Sequence, residues 1–154
     1  MAPLTCFHRM NHYSIIIPTV FTASHYEAVV HLLSQLTTRS VAFTEDDYRR
    51  LLASDSSRLL LLCCDDAVVG MLTIGKYHSP TGCKAWIEDV VVDNAYRGQG
   101  LGHLLVAEAI EQAREWDAHT LMLTSNPKRI AANALYRSLG FEPKETNVYR
   151  MLLD

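Results

Sequence analysis

Residues 87–102 read IEDVVVDNAYRGQGLG. Val90, Val91 and Val92 form an apolar run between the acidic pair Glu88-Asp89 and the turn-forming Asp93-Asn94. That pattern predicts a buried strand ending in a turn. Arg97-Gly98-Gln99-Gly100-Leu101-Gly102 comes next. Beyond it Val106, Ala109, Ala113 and Trp116 recur at helical spacing, opposite Glu108, Glu111, Gln112 and Glu115. Strand, glycine-rich loop and helix, in that order, point backbone N–H groups at an anion from a helix N-terminus. Glycine lets the backbone approach a phosphate closely, and a guanidinium fork suits phosphate oxygens. The spacing is R-x-x-G-x-G, from Arg97 to Gly102. No Lys-Ser/Thr follows as in a P-loop, and His103 and Leu104 stand where a G-x-G-x-x-G fingerprint would continue.

Upstream, residues 13–17 are β-branched and apolar and predict a first strand. Ser24-His25-Tyr26-Glu27 fits a capping box opening a helix that runs to about Thr37. Thr44-Glu45-Asp46-Asp47 opens a second helix, acidic in its first turn and stopping near Ser54. Residues 59–64 and 68–77 flank an Asp65-Asp66 turn and read as an antiparallel hairpin. Residues 78–84, with Pro80 and Gly82, read as a loop before the strand 84–92.

Downstream, residues 120–124 predict a short strand, reached from residues 84–92 by a parallel crossover. Residues 130–139 predict a helix closed by Gly140 as a left-handed cap. Residues 148–153 predict a last strand, whose apolar Val148, Met151, Leu152 and Leu153 need a covering surface. The expected architecture is α/β, a central mixed sheet with helices on both faces.

The 154 residues suit one domain with a real core. The division expected is a flexible extension over residues 1–12 and a folded domain over 13–154, with Met10 an alternative start. A net charge of −3 gives no basic patch for nucleic acid. No apolar run reaches membrane-spanning length. Cys6, Cys63, Cys64 and Cys83 show no zinc spacing, so no metal is expected. Adjacent Cys63 and Cys64 face opposite ways on a strand, and a reduced, cytoplasmic setting follows.

The loop from Arg97 to Gly102 after a valine-rich strand resembles the acyl-CoA pyrophosphate loop of the GNAT N-acetyltransferase superfamily. The likeness continues in Ser125-Asn126-Pro127 and in Asn133-Ala134-Leu135-Tyr136-Arg137-Ser138-Leu139-Gly140-Phe141, which carries the family's Tyr-x-x-x-Gly-Phe. It spans roughly residues 13 to 154, with both motifs in the expected order. It implies the GNAT acyl-CoA N-acyltransferase fold, in which two parallel central strands splay apart around the pantetheine arm. It also implies acetyl-CoA as co-substrate, with an amine attacking the thioester directly and no acyl-enzyme.

Within that resemblance, Arg97, Gly98, Gln99, Gly100, Leu101, Gly102 and His103 hold the cofactor's phosphates. Val90, Val91 and Val92 pair with pantetheine through their backbone. Asn126, Arg129 and Asn133 bind cofactor too, Asn126 being equally readable as a helix cap before Pro127. Arg129, Asn133 and Tyr136 share one helical face by spacing. Tyr136 matches the family's general acid beside the cofactor sulfur, and Glu88 is the favoured base. Asp89 alternates to the other strand face. His78 is a runner-up base, and some family members use none. Cys63 and Cys64 read as inert core thiols.

The run 87–92 is similar to the corresponding strand of glucosamine-6-phosphate N-acetyltransferases, whereas residues 124–129 and 146–150 look like bacterial GNAT proteins of unassigned substrate. An amino sugar, a polyamine-like amine and a protein amine all remain open as acceptors, and Tyr149 and Arg150 are candidates for the acceptor pocket. A second reading is an acetyl-CoA-binding sensor or partner domain without catalysis. A nucleotide-binding domain is disfavoured by the glycine spacing. The resemblance also admits a homodimer.

Overall fold

The computed structural model describes residues 12–153, so the expected extension, Cys6 and Met10 lie outside the described residues, His12 excepted. The elements run β1 (Tyr13–Ile16), α1 (Ala23–Leu36), α2 (Glu45–Leu52), β2 (Ser57–Cys64), β3 (Ala67–Ser79), β4 (Gly82–Val92), a 3-10 turn (Asn94–Tyr96), α3 (Leu101–Glu115), β5 (Thr120–Met122) and α4 (Ile130–Ser138). The five strands lie in chain order across one mixed sheet. β1 to β4 are antiparallel neighbours, and β5 runs parallel to β4, as the crossover reading requires.

Strand alternation divides the core between two faces. Leu59 and Leu61 of β2, Met71 of β3 and Val91 of β4 pack with Val29 and Leu32 of α1 and Tyr48 of α2. Leu60, Leu62, Leu72 and Ile74 alternate to the opposite face and are fully buried. There α3 lies so close that a Cβ added to Gly70 would stand 3.2 Å from Leu105 Cδ1.

The local chemistry explains most boundaries. α2 begins with the expected capping box, with Thr44 Oγ1 accepting from Asp47 N and Asp47 Oδ2 accepting from Thr44 N. The cap of α1 lies two residues before the expected one, because Thr22 Oγ1 accepts from His25 N and leaves Ser24 inside the helix. The expected loop over residues 78–84 is replaced by ladder. His78 pairs with Cys83 and Ser79 with Gly82, so only Pro80 and Thr81 turn the chain. The expected strand over residues 148–153 does not form; its apolar residues are exposed, Tyr149 at 89% and Leu153 at 87%. Val148, Tyr149 and the apolar residues after them suit an extended chain, but a strand exists only where an edge takes up its N–H and C=O groups.

The chain divides after Thr124 into two compact units. The sheet, α1, α2 and α3 belong to the first, and α4 belongs to the second.

Candidate functional site

Strand β4 is built irregularly where the expected site lies. Thr73 pairs with Glu88 and Met71 with Val91, so Leu72 alone opposes Asp89 and Val90. This is a β-bulge, which reverses the face of every residue beyond it. Without it Glu88 and Val91, three apart, would face opposite ways. With it, Glu88 joins Val91 on the face covered by α1 and α2. Asp89 takes φ +54°, a left-handed conformation for a non-glycine residue. Strict alternation of the pair, expected from the sequence, gives way to the bulge, and both carboxylates are exposed.

Partial burial raises the Glu88 pKa, the neighbouring Asp89 charge adds to the rise, and the Trp86 side chain opposes it. Burial likewise raises Asp89. His78 pairs with Cys83 five ladder positions from Thr73, the partner of Glu88. That separation is about 17 Å along the strand.

The parallel ladder between β4 and β5 covers only Lys84, Ala85 and Trp86, opposite Thr120, Leu121 and Met122. From Ile87 onward β5 no longer pairs with β4. An extended chain bearing amide groups can add to such an edge through main-chain hydrogen bonds. The side chains of this stretch serve packing: Val91 is buried, and Val90 and Val92 are half-buried.

After β4, Asp93 Oδ1 accepts from Ala95 N at 2.9 Å and fixes the 3-10 turn. Arg97 Nε donates to the Val92 carbonyl at 3.1 Å, and the residue is otherwise exposed. Gly98 (φ +79°) and Gly100 (φ +75°) are left-handed, and a Cβ at either would meet nothing within 4 Å. Gly100 caps α3 without any side-chain hydrogen bond. The first-turn N–H groups of an uncapped helix point outward and suit an anion. Gln99 and His103 are exposed beside them, whereas Leu101 is buried and serves the core. Gln99 Oε1 accepts from the Tyr13 hydroxyl of β1 at 2.7 Å. An open, uncapped, glycine-lined helix start beside an unpaired strand edge fits a ligand with a diphosphate and an extended amide arm. Among the described residues, no group of three or more His, Cys, Asp or Glu side chains is placed to hold a metal.

In the second unit, Asn133 Nδ2 donates to the carbonyls of Asn126 and Arg129, both at 2.9 Å. Asn126 Oδ1 accepts from Lys128 N at 2.9 Å. These bonds bring Asn126, Arg129 and Asn133 together and commit both asparagines to shaping the turn before α4. Tyr136 is buried, which raises its hydroxyl pKa against the opposing charge of Arg129.

Cys63, Cys64 and Cys83 are buried free thiols, and burial raises Cys63 with Asp66 adding to it. A raised thiol pKa disfavours the nucleophilic thiolate. Tyr149 and Arg150 are exposed, in no regular element.

Sequence reasoning missed the bulge, the Tyr13–Gln99 bond and the contact of α1 with Asp93 and Asn94. Nothing in the sequence signals any of the three, because each joins segments far apart or breaks alternation without a glycine.

The model of the "Acetyltransferase (GNAT) family" matches residues 26–141. Glucosamine 6-phosphate N-acetyltransferase 1 of Oryza sativa subsp. japonica is 31% identical over 127 residues, covering 76% of this chain and 74% of the rice protein. An uncharacterized N-acetyltransferase of Gracilaria tenuistipitata var. liui is 40% identical over 63 residues, covering 41% of this chain and 33% of the algal protein. The chain thus matches about a third of the length of the algal relative. Among solved structures, a putative acetyltransferase from Agrobacterium tumefaciens str. C58 superposes with a TM-score of 0.79 at 23% identity, over 90% of this chain and 99% of that one. The family match, the rice relative and the shared mixed sheet agree: this chain belongs to the acetyltransferase (GNAT) family.

Proposed function

We propose that this chain is an acetyl-CoA-dependent N-acetyltransferase. The single observation that carries the reading is the uncapped, glycine-lined start of α3 directly after a bulged strand from which β5 has parted beyond Trp86. In this reading the backbone N–H groups from Gly98 to His103 take the diphosphate, with Arg97 supplying a balancing charge. The backbone of Val90, Val91 and Val92 pairs with the pantetheine amides, and Asn126, Arg129 and Asn133 assist in holding the cofactor.

Chemistry follows from the perturbed groups. The amine attacks the thioester carbonyl carbon with its lone pair, and the tetrahedral intermediate collapses with loss of the C–S bond. Glu88, whose pKa is raised by partial burial and by the Asp89 charge, receives the amine proton directly or through one water. Tyr136, a hydroxyl whose burial favours its neutral form, donates a proton to the departing thiolate. A buried tyrosine and a strand-end carboxylate are also what a cofactor-binding domain without catalysis would tolerate. The presence of both Tyr136 and Glu88 favours the enzyme, since a domain without catalysis could lose either.

A small amine is the acceptor this reading prefers, an amino sugar or a polyamine-like cation. The rice relative is named for glucosamine 6-phosphate acetylation, and the adjacent carboxylates Glu88 and Asp89 suit a cationic amine. Acetylation of a protein amine is the alternative. The domain is assigned to residues 13–154, with the extension before it. The free thiols fit a reducing, cytoplasmic compartment, and the exposed apolar side chains over residues 148–153 fit burial against a second copy. No described helix is long and apolar enough to cross a membrane.

The test is thiol release from acetyl-CoA in the presence of glucosamine 6-phosphate, spermidine and lysine-containing peptides. Release with one small amine supports the reading. Tight acetyl-CoA binding with no release for any amine would favour the non-catalytic domain.

A further inference from the structure

Helix α1 reaches the loop that follows β4 through two side chains, His31 and Gln35, and Gln35 alone touches both Asp93 and Asn94. Its Oε1 accepts from the backbone N–H of Asn94 at 2.8 Å. Its Nε2 lies 3.3 Å from Asp93 Oδ2 and 2.9 Å from His31 Nε2. His31 Nε2 is itself 3.0 Å from the same Asp93 oxygen.

One ring nitrogen cannot satisfy both neighbours. Protonated, it donates to Asp93 and cannot accept from Gln35. Unprotonated, it accepts from Gln35 and turns a lone pair toward the carboxylate. The Gln35 amide has no such conflict, because its carbonyl and its two N–H hydrogens are separate groups. Its bonds to Asn94 and Asp93 persist in either state of the ring. His31 is also largely exposed at 63%, whereas Asp93 is 18% exposed. Asp93 in turn fixes the next residues by accepting from Ala95 N. The chain then reaches Arg97, Gly98 and Gly100 with no further tie from α1.

We propose that Gln35 is a positioning residue for the cofactor loop: through Asn94 and Asp93 it sets the exit of the chain from β4 and holds Arg97 to Gly102 ready for the diphosphate of acetyl-CoA. The inference rests on the proposed function. It adds a device that links the first helix of the fold to cofactor affinity across 58 residues or more. A loop held in its bound form before binding loses less freedom when the ligand arrives.

The experiment is calorimetric titration of the full chain with CoA, alongside the melting temperature of each variant. Gln35→Leu keeps the side-chain bulk and removes both polar ends. It is expected to weaken CoA binding about tenfold, the loss of one or two hydrogen bonds. Gln35→Glu is the second variant. It keeps an acceptor for Asn94 but sets a carboxylate against Asp93, and it is expected to weaken binding as well. His31→Ala is expected to keep affinity within about twofold, since both Gln35 bonds remain. Combined with Asp93→Asn, Gln35→Leu is expected to lose less than the product of the two single effects, because both act through one network.

Wild-type CoA affinity in Gln35→Leu and Gln35→Glu, with only the melting temperature lowered, would overturn the positioning role and leave the acetyl-CoA reading intact. Absence of CoA binding by the wild-type protein would instead overturn that reading, and this inference with it.

Discussion

The backbone N–H of Phe141 donates to the carbonyl of Tyr136 at 3.0 Å, and the rings of the same two residues meet edge-on with centroids 6.1 Å apart. Between them Gly140, at φ +91°, donates to the Arg137 carbonyl at 3.0 Å. The paired bonds and the ring contact are a Schellman closure. The helix end that terminates α4 therefore also packs the proposed acid. Gly140→Ala forces a side chain into the left-handed region and is expected to destabilise the protein by about 1–2 kcal/mol. Urea unfolding monitored by circular dichroism measures it.

Tyr136→Phe keeps that ring contact and removes only the hydroxyl. Turnover is expected to fall about 100-fold, with acetyl-CoA affinity nearly unchanged. Steady-state kinetics beside calorimetry separates the two. Equal losses in turnover and affinity would make Tyr136 a binding group.

Glu88 and Asp89 carry raised folded-state pKa values, Glu88 from burial and then the Asp89 charge. A raised carboxylate pKa means that the folded state holds the proton more tightly than the unfolded chain. Their contribution to stability is present below the unfolded value, 4.5 for Glu88, and is lost as pH rises through the folded value. Glu88→Gln is therefore expected to raise the melting temperature at pH 7 while abolishing the acid limb of the kcat/KM profile. Thermal melts and a pH–rate series check both halves. An unaltered acid limb would remove Glu88 as the base.

Tyr48 is fully buried in the core shared by α1, α2 and the sheet, and its hydroxyl has no hydrogen-bond partner among the described residues. An unsatisfied buried polar group costs about 1–3 kcal/mol. Tyr48→Phe is expected to leave stability unchanged or raise it by up to about 1 kcal/mol, read from the urea midpoint. A marked loss would reveal a partner for that hydroxyl.

What the sequence made legible was whatever local chemistry decides. Thr44 and Asp47 cap α2 as their spacing demands, and Gly140 closes α4 as a glycine after an apolar helix should. Gly98 and Gly100 of the loop stand at left-handed positions, whereas Gly102 is taken into the first turn of α3. The sequence was silent where long-range contact decides. Asp89 bulges without a glycine to mark it, and the bulge alone brings Glu88 onto the face of Val91. Gln35 meets Asn94 across 59 residues, which no periodicity announces. Pro80 and Gly82 read as a loop, but strand pairing continues to Ser79 and Gly82. Residues 148–153 are apolar enough for a strand and yet form none.

Arg97 has its Nε engaged with Val92, so the rest of its guanidinium is held at the loop by its own strand. Arg97→Ala is expected to weaken CoA binding about 10–100-fold, the range for losing a charged hydrogen bond, without lowering the melting temperature appreciably. Raising the salt concentration should narrow the difference between variant and wild type.

The central claim is that the glycine-lined start of α3 binds the diphosphate of acetyl-CoA. Calorimetric titration of the purified chain with acetyl-CoA, CoA, ATP and NAD tests it most directly. Saturable one-site binding of acetyl-CoA and CoA is expected, abolished by Gly100→Glu, with no comparable heat from NAD or ATP. No binding of acetyl-CoA or CoA, or binding that Gly100→Glu leaves intact, would contradict it.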